Sequence, residues 1–332
     1  MTKPLTIYNY TTSSQNGNTP PVVKQLNKIF KTIPDDELLT ALKAYYAGRN
    51  GYTHKVLWRT YVAMSVLNLP SFAALIRTLE NNPFIALACG ITGPEGIPSK
   101  YAYSRFIKKL QARHTLKLVK DIMRELTRKC YETFPDFGKS VAIDSTDLKA
   151  WSNGGKEQKT DPDAGWVIKA GTERLRKFVF GYKLHLMVDT EYEIPIAAIT
   201  NRGNMADIHQ AKPLLRQGRF TYSRFRPDYV ICDAGYSSRA LRKVIWKQWR
   251  AVPIVKSKKS EKRTIGDETH EWQLIYNRRT SVERCFSRLK GHRRLNKITV
   301  RNRRKVTVHN VIPVIVMQAM ALAFTETPRM CT

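Results

Sequence analysis

A mixed α/β sheet preceded by an all-helical N-terminal domain is the fold class that this 332-residue sequence predicts. Three observations carry it. Helical periodicity runs from Val22 to about Phe134, strand-like runs replace it after Pro135-Asp136-Phe137-Gly138, and those strands then alternate with helical segments. The resulting order, β–β–β–α–β–α–β–α, is that of a mixed sheet carrying helices. Apolar residues make up 42% of the chain, enough to bury real cores at this length.

Residues 1–21 are polar and rich in Thr, Ser, Asn and Pro, the composition of a flexible arm. A helical domain, 22–138, follows. Asp35 or Asp36 can cap a helix that runs to Tyr46 and closes at Gly48. A second helix spans roughly Thr53 to Asn68 and stops at Pro70. Ser71 caps a third, Pro83 opens a short fourth, and Ser99 starts a long amphipathic stretch to Phe134. Arg105, Lys108, Lys109 and Arg113 line one basic edge of that stretch, which suits it to phosphates. Short helices joined by tight turns are compatible with a helix-turn-helix DNA reader.

In 139–332 the run Ser140 to Ile143 leads into Asp144. A polar, Gly-rich connection (WSNGGKEQKTDPDAG) then precedes two strands, FVFGYKLHLMVDT and EIPIAAITN, joined by a turn at Glu191 to Glu193. Ala206 to Leu215 reads as helix, and Pro227 to Cys232 as a buried strand ending in Asp233. Ser237 or Ser238 caps a helix through Trp249, and AVPIVK is a further strand. After the polar loop KSEKRTIGDET the chain enters a helix expected to be continuous from Tyr276 to Lys290.

The charge balance narrows the function. With 57 Lys and Arg against 27 Asp and Glu, the net charge is +30. Such an excess is self-repulsive in a compact state and points to a polyanionic partner, with nucleic acid favoured. No lipidation motif, signal peptide or spanning helix is legible, and the apolar run from Val311 to Phe324 is interrupted by Pro313 and Gln318, so no membrane role is expected. Five scattered cysteines without a CxxC pair, and seven histidines without zinc-finger spacing, weigh against a structural zinc. They point to a reducing cytoplasm, for a DNA-binding chain the nucleoid. Cys232 and Cys285, beside the key acids, read as small buried hydrophobes.

Three carboxylates stand in distinct settings: Asp144 in AIDST, Asp233 in ICDAGYSS and Glu283 in YNRRTSVERCFSRLK. At about 100° per residue, Tyr276, Arg279, Glu283 and Lys290 fall within a ~60° arc, next to an apolar face of Val282, Cys285, Phe286 and Leu289. A solvated helix edge is the ordinary meaning of such a stripe, and the two upstream acids and the charge balance outweigh it. An acid at a strand end, another on a neighbouring strand and a third on a helix across them would converge. Three hard oxygen donors suit Mg²⁺, with Mn²⁺ able to substitute, and such ions promote phosphoryl transfer without a covalent enzyme nucleophile. Arg279, Lys290 and Tyr276 would hold a DNA backbone. Arg293 and Arg294, in the Lys/Arg-rich segment GHRRLNKITVRNRRK just beyond, extend that track. Asp147 and Asp189 read as turn residues, and Asp207 as a brace near the site.

At these residues the chain resembles the DDE-type transposases of bacterial insertion sequences, in the IS-four and IS-five-like assemblage. Tyr276, Arg279, Glu283 and Lys290 reproduce that family's Y-x2-R-x3-E-x6-K signature, AIDST and ICDAGYSS look like its two acidic motifs, and TNRGNMADIHQAKPLL looks like its Asn/Asp segment. The resemblance implies an RNase H-like catalytic core in 139–332, Mg²⁺ held by Asp144, Asp233 and Glu283, and a helical domain that binds terminal inverted repeats. It also implies cleavage and strand transfer on double-stranded DNA, both transposon ends and target, by a homodimer in the synapse. From Asp233 to Glu283 is 50 positions (283 − 233), too few for the β-rich insertion of some relatives, whose aromatic stacks a flipped base. Trp246, Trp249 and Trp272 remain as candidates, the first two read as core. Competing readings are another RNase H-like DNA nuclease, or a domesticated transposase that binds DNA without cutting it.

Overall fold

The computed structural model describes residues 19–46, 51–154, 160–169, 177–258 and 269–325. Most of the expected arm, Gly48 and nearly all of the loop before Thr269 lie outside them. Among the described residues the first half holds seven α-helices: α1 (Pro21–Thr32), α2 (Asp36–Tyr45), α3 (His54–Val66), α4 (Phe72–Asn81), α5 (Pro83–Ala88), α6 (Lys100–Leu110) and α7 (Arg113–Thr133). Their starts follow local chemistry. The hydroxyls of Thr53, Ser71 and Ser99 accept the N–H of Val56, Ala74 and Ala102, satisfying a first-turn donor in α3, α4 and α6. Asp35 sits at the N-cap of α2 without a side-chain cap bond. The long stretch from Ser99 is two helices, not one: it breaks at Gln111 and Ala112, where the Thr115 hydroxyl reaches back to the Lys109 carbonyl.

The second half is a six-stranded sheet: β1 (Ser140–Lys149), β2 (Gly165–Lys169), β3 (Lys177–Asp189), β4 (Pro195–Arg202), β5 (Tyr229–Cys232) and β6 (Val252–Val255). The strand order is β2-β3-β1-β5-β6, with β4 also paired to β3. β3 runs antiparallel to β1, β2 and β4, whereas β1, β5 and β6 are mutually parallel. β2 is an addition to the expected order, because its five residues directly follow a stretch whose Gly and Asp content reads as loop. The helices α8 (Ala211–Thr221) and α9 (Arg239–Trp249) connect the later strands, α9 capped by the Ser238 hydroxyl. The expected continuous helix is likewise two, α10 (His270–Asn277) and α11 (Thr280–His292).

The last helix, α12 (Arg303–Ala323), ties the halves together. It is 21 residues long and, by length and composition, apolar enough to cross a membrane, yet most of it is buried inside the protein. It packs against α1, α3, α6, α7 and β4. Its buried polar groups bind both sides: Asn310 Nδ2 donates to Thr200 on β4, and Gln318 Nε2 donates to Thr127 on α7 and to the Pro195 carbonyl. One continuous core consequently runs from α1 to the sheet, including Leu26, Trp58, Leu126, Leu186 and Ile312.

Candidate active site

Register places the first two acids. Ile143 pairs with Cys232 across the parallel β1–β5 ladder, so Asp144 and Asp233 follow at the same level on adjacent strands. The side chains that precede them are fully buried, which fixes the strands from below. Asp144 Oδ1 accepts the Ser145 N–H at 2.7 Å. Asp233 Oδ1 accepts the Gly235 N–H at 2.8 Å, capping a single 3₁₀ turn from Ala234 to Tyr236. A Cβ at Gly235 would stand 3.0 Å from that same oxygen, so the turn takes glycine.

Glu283 arrives from the other side on α11. The chain turns between α10 and α11 through i→i+3 bonds, Arg279 N to the Tyr276 carbonyl and Val282 N to the Arg279 carbonyl, a tightening that breaks the helix. Both residues at the break stay in right-handed helical conformation, so the stripe survives. Arg279 then links two acids: its guanidinium donates to Asp144 Oδ2 at 3.3 Å and to Glu283 Oε1 at 2.5 Å. Its Cζ lies 5.9 Å from the centroid of the Tyr276 ring, which stacks on Trp272 at 4.9 Å and 10°. Lys290 Nζ donates to Thr146 Oγ1 at 2.5 Å, two residues along β1 from Asp144.

A fourth acid stands in the site. Asp207 Oδ1 accepts from Ser145 Oγ and from Lys183 Nζ, both at 2.9 Å. His185, wholly buried on β3, lies 3.7 Å from the same oxygen and has no hydrogen-bond partner for either ring nitrogen. Burial pushes its pKa down to about 4. Burial also raises Asp144 to about 6, with Asp233 and Asp207 adding to the rise while the Ser145 N–H and Arg279 oppose it. The buried Tyr236 hydroxyl, also without a partner, is raised first by burial and then by Asp144 and Asp207. Hard carboxylate oxygens brought level on adjacent strands, with Asp207 beside them, are the donors a divalent ion takes. The three expected ligands are nonetheless not gathered as one cluster. Among the described residues no three acid, histidine or cysteine side chains are close enough to share an ion, because the half-exposed Glu283 carboxylate turns to Arg279.

The basic candidates divide. Arg105 and Lys108 are exposed on α6, whereas Lys109 is turned inward, 2.9 Å from His54 Nε2 and over the Tyr46 ring. Arg293 and Arg294 do not continue a DNA track. Arg294 is 3% exposed, donating to the carbonyls of Leu69 and Lys297, and Arg293 donates to the Val66 carbonyl. Arg293 satisfies a carbonyl left over at the end of α3 and Arg294 one in the loop that follows it, a demand that a run of basic letters cannot reveal. Trp249 is core as expected, but Trp246 is 62% exposed. Asp189 braces its turn by accepting the N–H groups of Gly138, Glu191 and Tyr192. Sequence reasoning missed Glu193, in left-handed conformation at the β3–β4 turn, where it takes both Arg284 and Arg288 of α11 and so docks the Glu283 helix on the sheet.

The family model described as Transposase DDE domain matches residues 136–317, more than half of the chain, and the one described as Transposase domain (DUF772) matches residues 16–109. The chain belongs to the DDE-domain transposases, which are metal-dependent DNA-cleaving enzymes. Among solved structures, the piggyBac transposase synaptic complex with hairpin DNA is similar in fold at TM-score 0.51, with 11% identity over 90% of this chain and 74% of that one. The core is RNase H-like, as the sequence resemblance led us to expect. The Mos1 mariner paired end complex with Mn shares 12% identity over 83% of this chain and 98% of that one, at TM-score 0.24. No curated protein matches the chain in sequence.

Proposed function

We propose that this transposase binds terminal inverted repeats through its helical half, and cleaves and joins DNA strands at a site built on Asp144, Asp233 and Glu283. The observation that carries the reading is the placement of Asp144 and Asp233 level on paired parallel strands, with Glu283 joined to Asp144 through one guanidinium. These carboxylates would hold Mg²⁺, with Mn²⁺ substituting, since both prefer hard oxygen ligands. When bound, such an ion supplies Lewis-acid polarisation of the scissile phosphate and an activated water or hydroxyl. For Glu283 to join the two aspartates, Arg279 must release it, and a DNA phosphate is the natural acceptor for the freed guanidinium. Lys290 sits beside the same strand and Tyr276 offers a hydroxyl, so both would hold the backbone in register. Exposed Arg105 and Lys108 offer phosphate contacts on the helical half. The working assembly would be a homodimer bringing two ends together, acting on transposon and target DNA in the cytoplasm at the nucleoid. Labelled end duplexes incubated with Mg²⁺, Mn²⁺ or EDTA test this: nicks and joined products are expected with either ion and none with EDTA. Cleavage that persists in EDTA would remove the metal from the reading.

A further inference from the structure

Past Asp144, β1 leads to a second surface of different character. Trp151, 60% exposed just beyond the strand end, borders a cleft of about 560 Å³ between the helical half and the segment that enters α12. Phe72 and Ile107 line it, and Lys100, Arg301 and Lys305 supply its charge. The amino ends of α4 and α6 both open on it, adding partial positive charge. Among the described residues none of the three cations is in an ion pair. The acids that approach this loop, Asp161 and Asp163, use their oxygens on the backbone N–H groups of Asn302 and Arg303. The basic segment that follows α11 therefore has two fates: Arg293 and Arg294 turn into the protein, and Arg301 and Lys305 reach this cleft.

We propose that the cleft grips one strand of the DNA leading away from the cleavage site. Phosphates would lie against Lys100, Arg301 and Lys305, and a sugar or base against the Trp151 ring. The inference rests on the DNA-cleaving function proposed above and adds a contact remote from the acids. Its volume is that of a small-ligand pocket, so it takes a short length of one strand, not the width of a duplex. At roughly 3.3 Å per residue, the five steps from Asp144 to the end of β1 at Lys149 and the two beyond it carry the chain at most about 23 Å to Trp151. At about 3.4 Å per nucleotide step, that is roughly seven nucleotides from the cut. Lys290, at Thr146, lies along the way.

The test compares wild type with the triple variant K100Q/R301Q/K305Q and with Trp151→Ala, by titrating end duplexes at several salt concentrations. One duplex reaches at least ten base pairs to either side of the cut, and a second stops about four base pairs from it on both sides. On the long duplex the triple variant should show a log K against log salt slope shallower by about 2.7, roughly 0.9 for each of three phosphates. Trp151→Ala should weaken binding on the order of ten-fold there. On the short duplex all three proteins should bind alike, which also shows that the variants are folded. Equal slopes and affinities on the long duplex overturn the cleft assignment while leaving the cleavage function standing. A wild-type chain that binds neither duplex overturns that function and this site with it.

Discussion

Arg279 holds, at one guanidinium, two carboxylates that a divalent ion would draw together. Exposed i,i+4 pairs contribute only about 0.3–0.5 kcal/mol, so the Glu283 contact is cheap to exchange for a phosphate. Arg279→Ala should therefore leave the fold intact and slow end cleavage by about 10²-fold, the scale of losing one preorganised charge donor. Arg279→Lys should recover part of that, because an ammonium lacks the two-pronged geometry. Single-turnover cleavage rates of the two variants check both, and wild-type rates in each would make Arg279 a surface residue. His309 tests the packing instead. Buried against Arg294, its imidazole is pushed down to about 3 from an ordinary 6.5, first by burial and then by that guanidinium. The folded chain thus refuses a proton that the unfolded chain accepts between pH 6.5 and 3. Stability supplied by neutral His309 should fall as pH drops below 6.5, by up to about 1.4 kcal/mol per unit. Urea midpoints from pH 7 to 4.5 should decline less steeply in His309→Gln.

Among the elements, α12 has the most to lose. Ile312 is 1% exposed in a core shared by helices and sheet, so Ile312→Ala should cost about 2–5 kcal/mol. Ser71→Ala, at a helix cap, should cost about 1 kcal/mol. Thermal or urea unfolding orders the pair, and a cap loss exceeding the core loss would contradict the assignment of α12 as the central strut. Elements with strong local signals were legible in the sequence: the caps at Ser71 and Ser238, the β3–β4 turn and the buried run into Asp233. Those set by tertiary demand were not. The α10–α11 break preserves helical spacing and so leaves no mark on the pattern, and β2 gains its place by pairing with β3. The acids themselves were legible because each follows an apolar strand or sits on an amphipathic stripe. Glu193 and His185 were not, since a turn glutamate gains its arginines, and a strand histidine its buried place beside Asp207, only when the sheet closes.

For the whole molecule, the net charge of +30 makes binding an electrostatic matter. If about six phosphates are neutralised, log K for an end duplex should fall with log salt at a slope near −5, and a flat response would contradict a DNA-tracking surface. The central claim is that the acids are needed for chemistry and the basic surface for binding. Asp144→Asn, Asp233→Asn and Glu283→Gln preserve volume while removing the charge that would hold Mg²⁺. The decisive measurement scores cleavage and strand transfer beside a gel shift on the same labelled ends. Each variant is expected to bind as tightly as wild type or slightly more so, because repulsion between carboxylate and phosphate is relieved, and to yield neither nicks nor joined products. Cleavage surviving in any one of the three, or binding lost together with cleavage, would contradict the separation of roles on which this account rests.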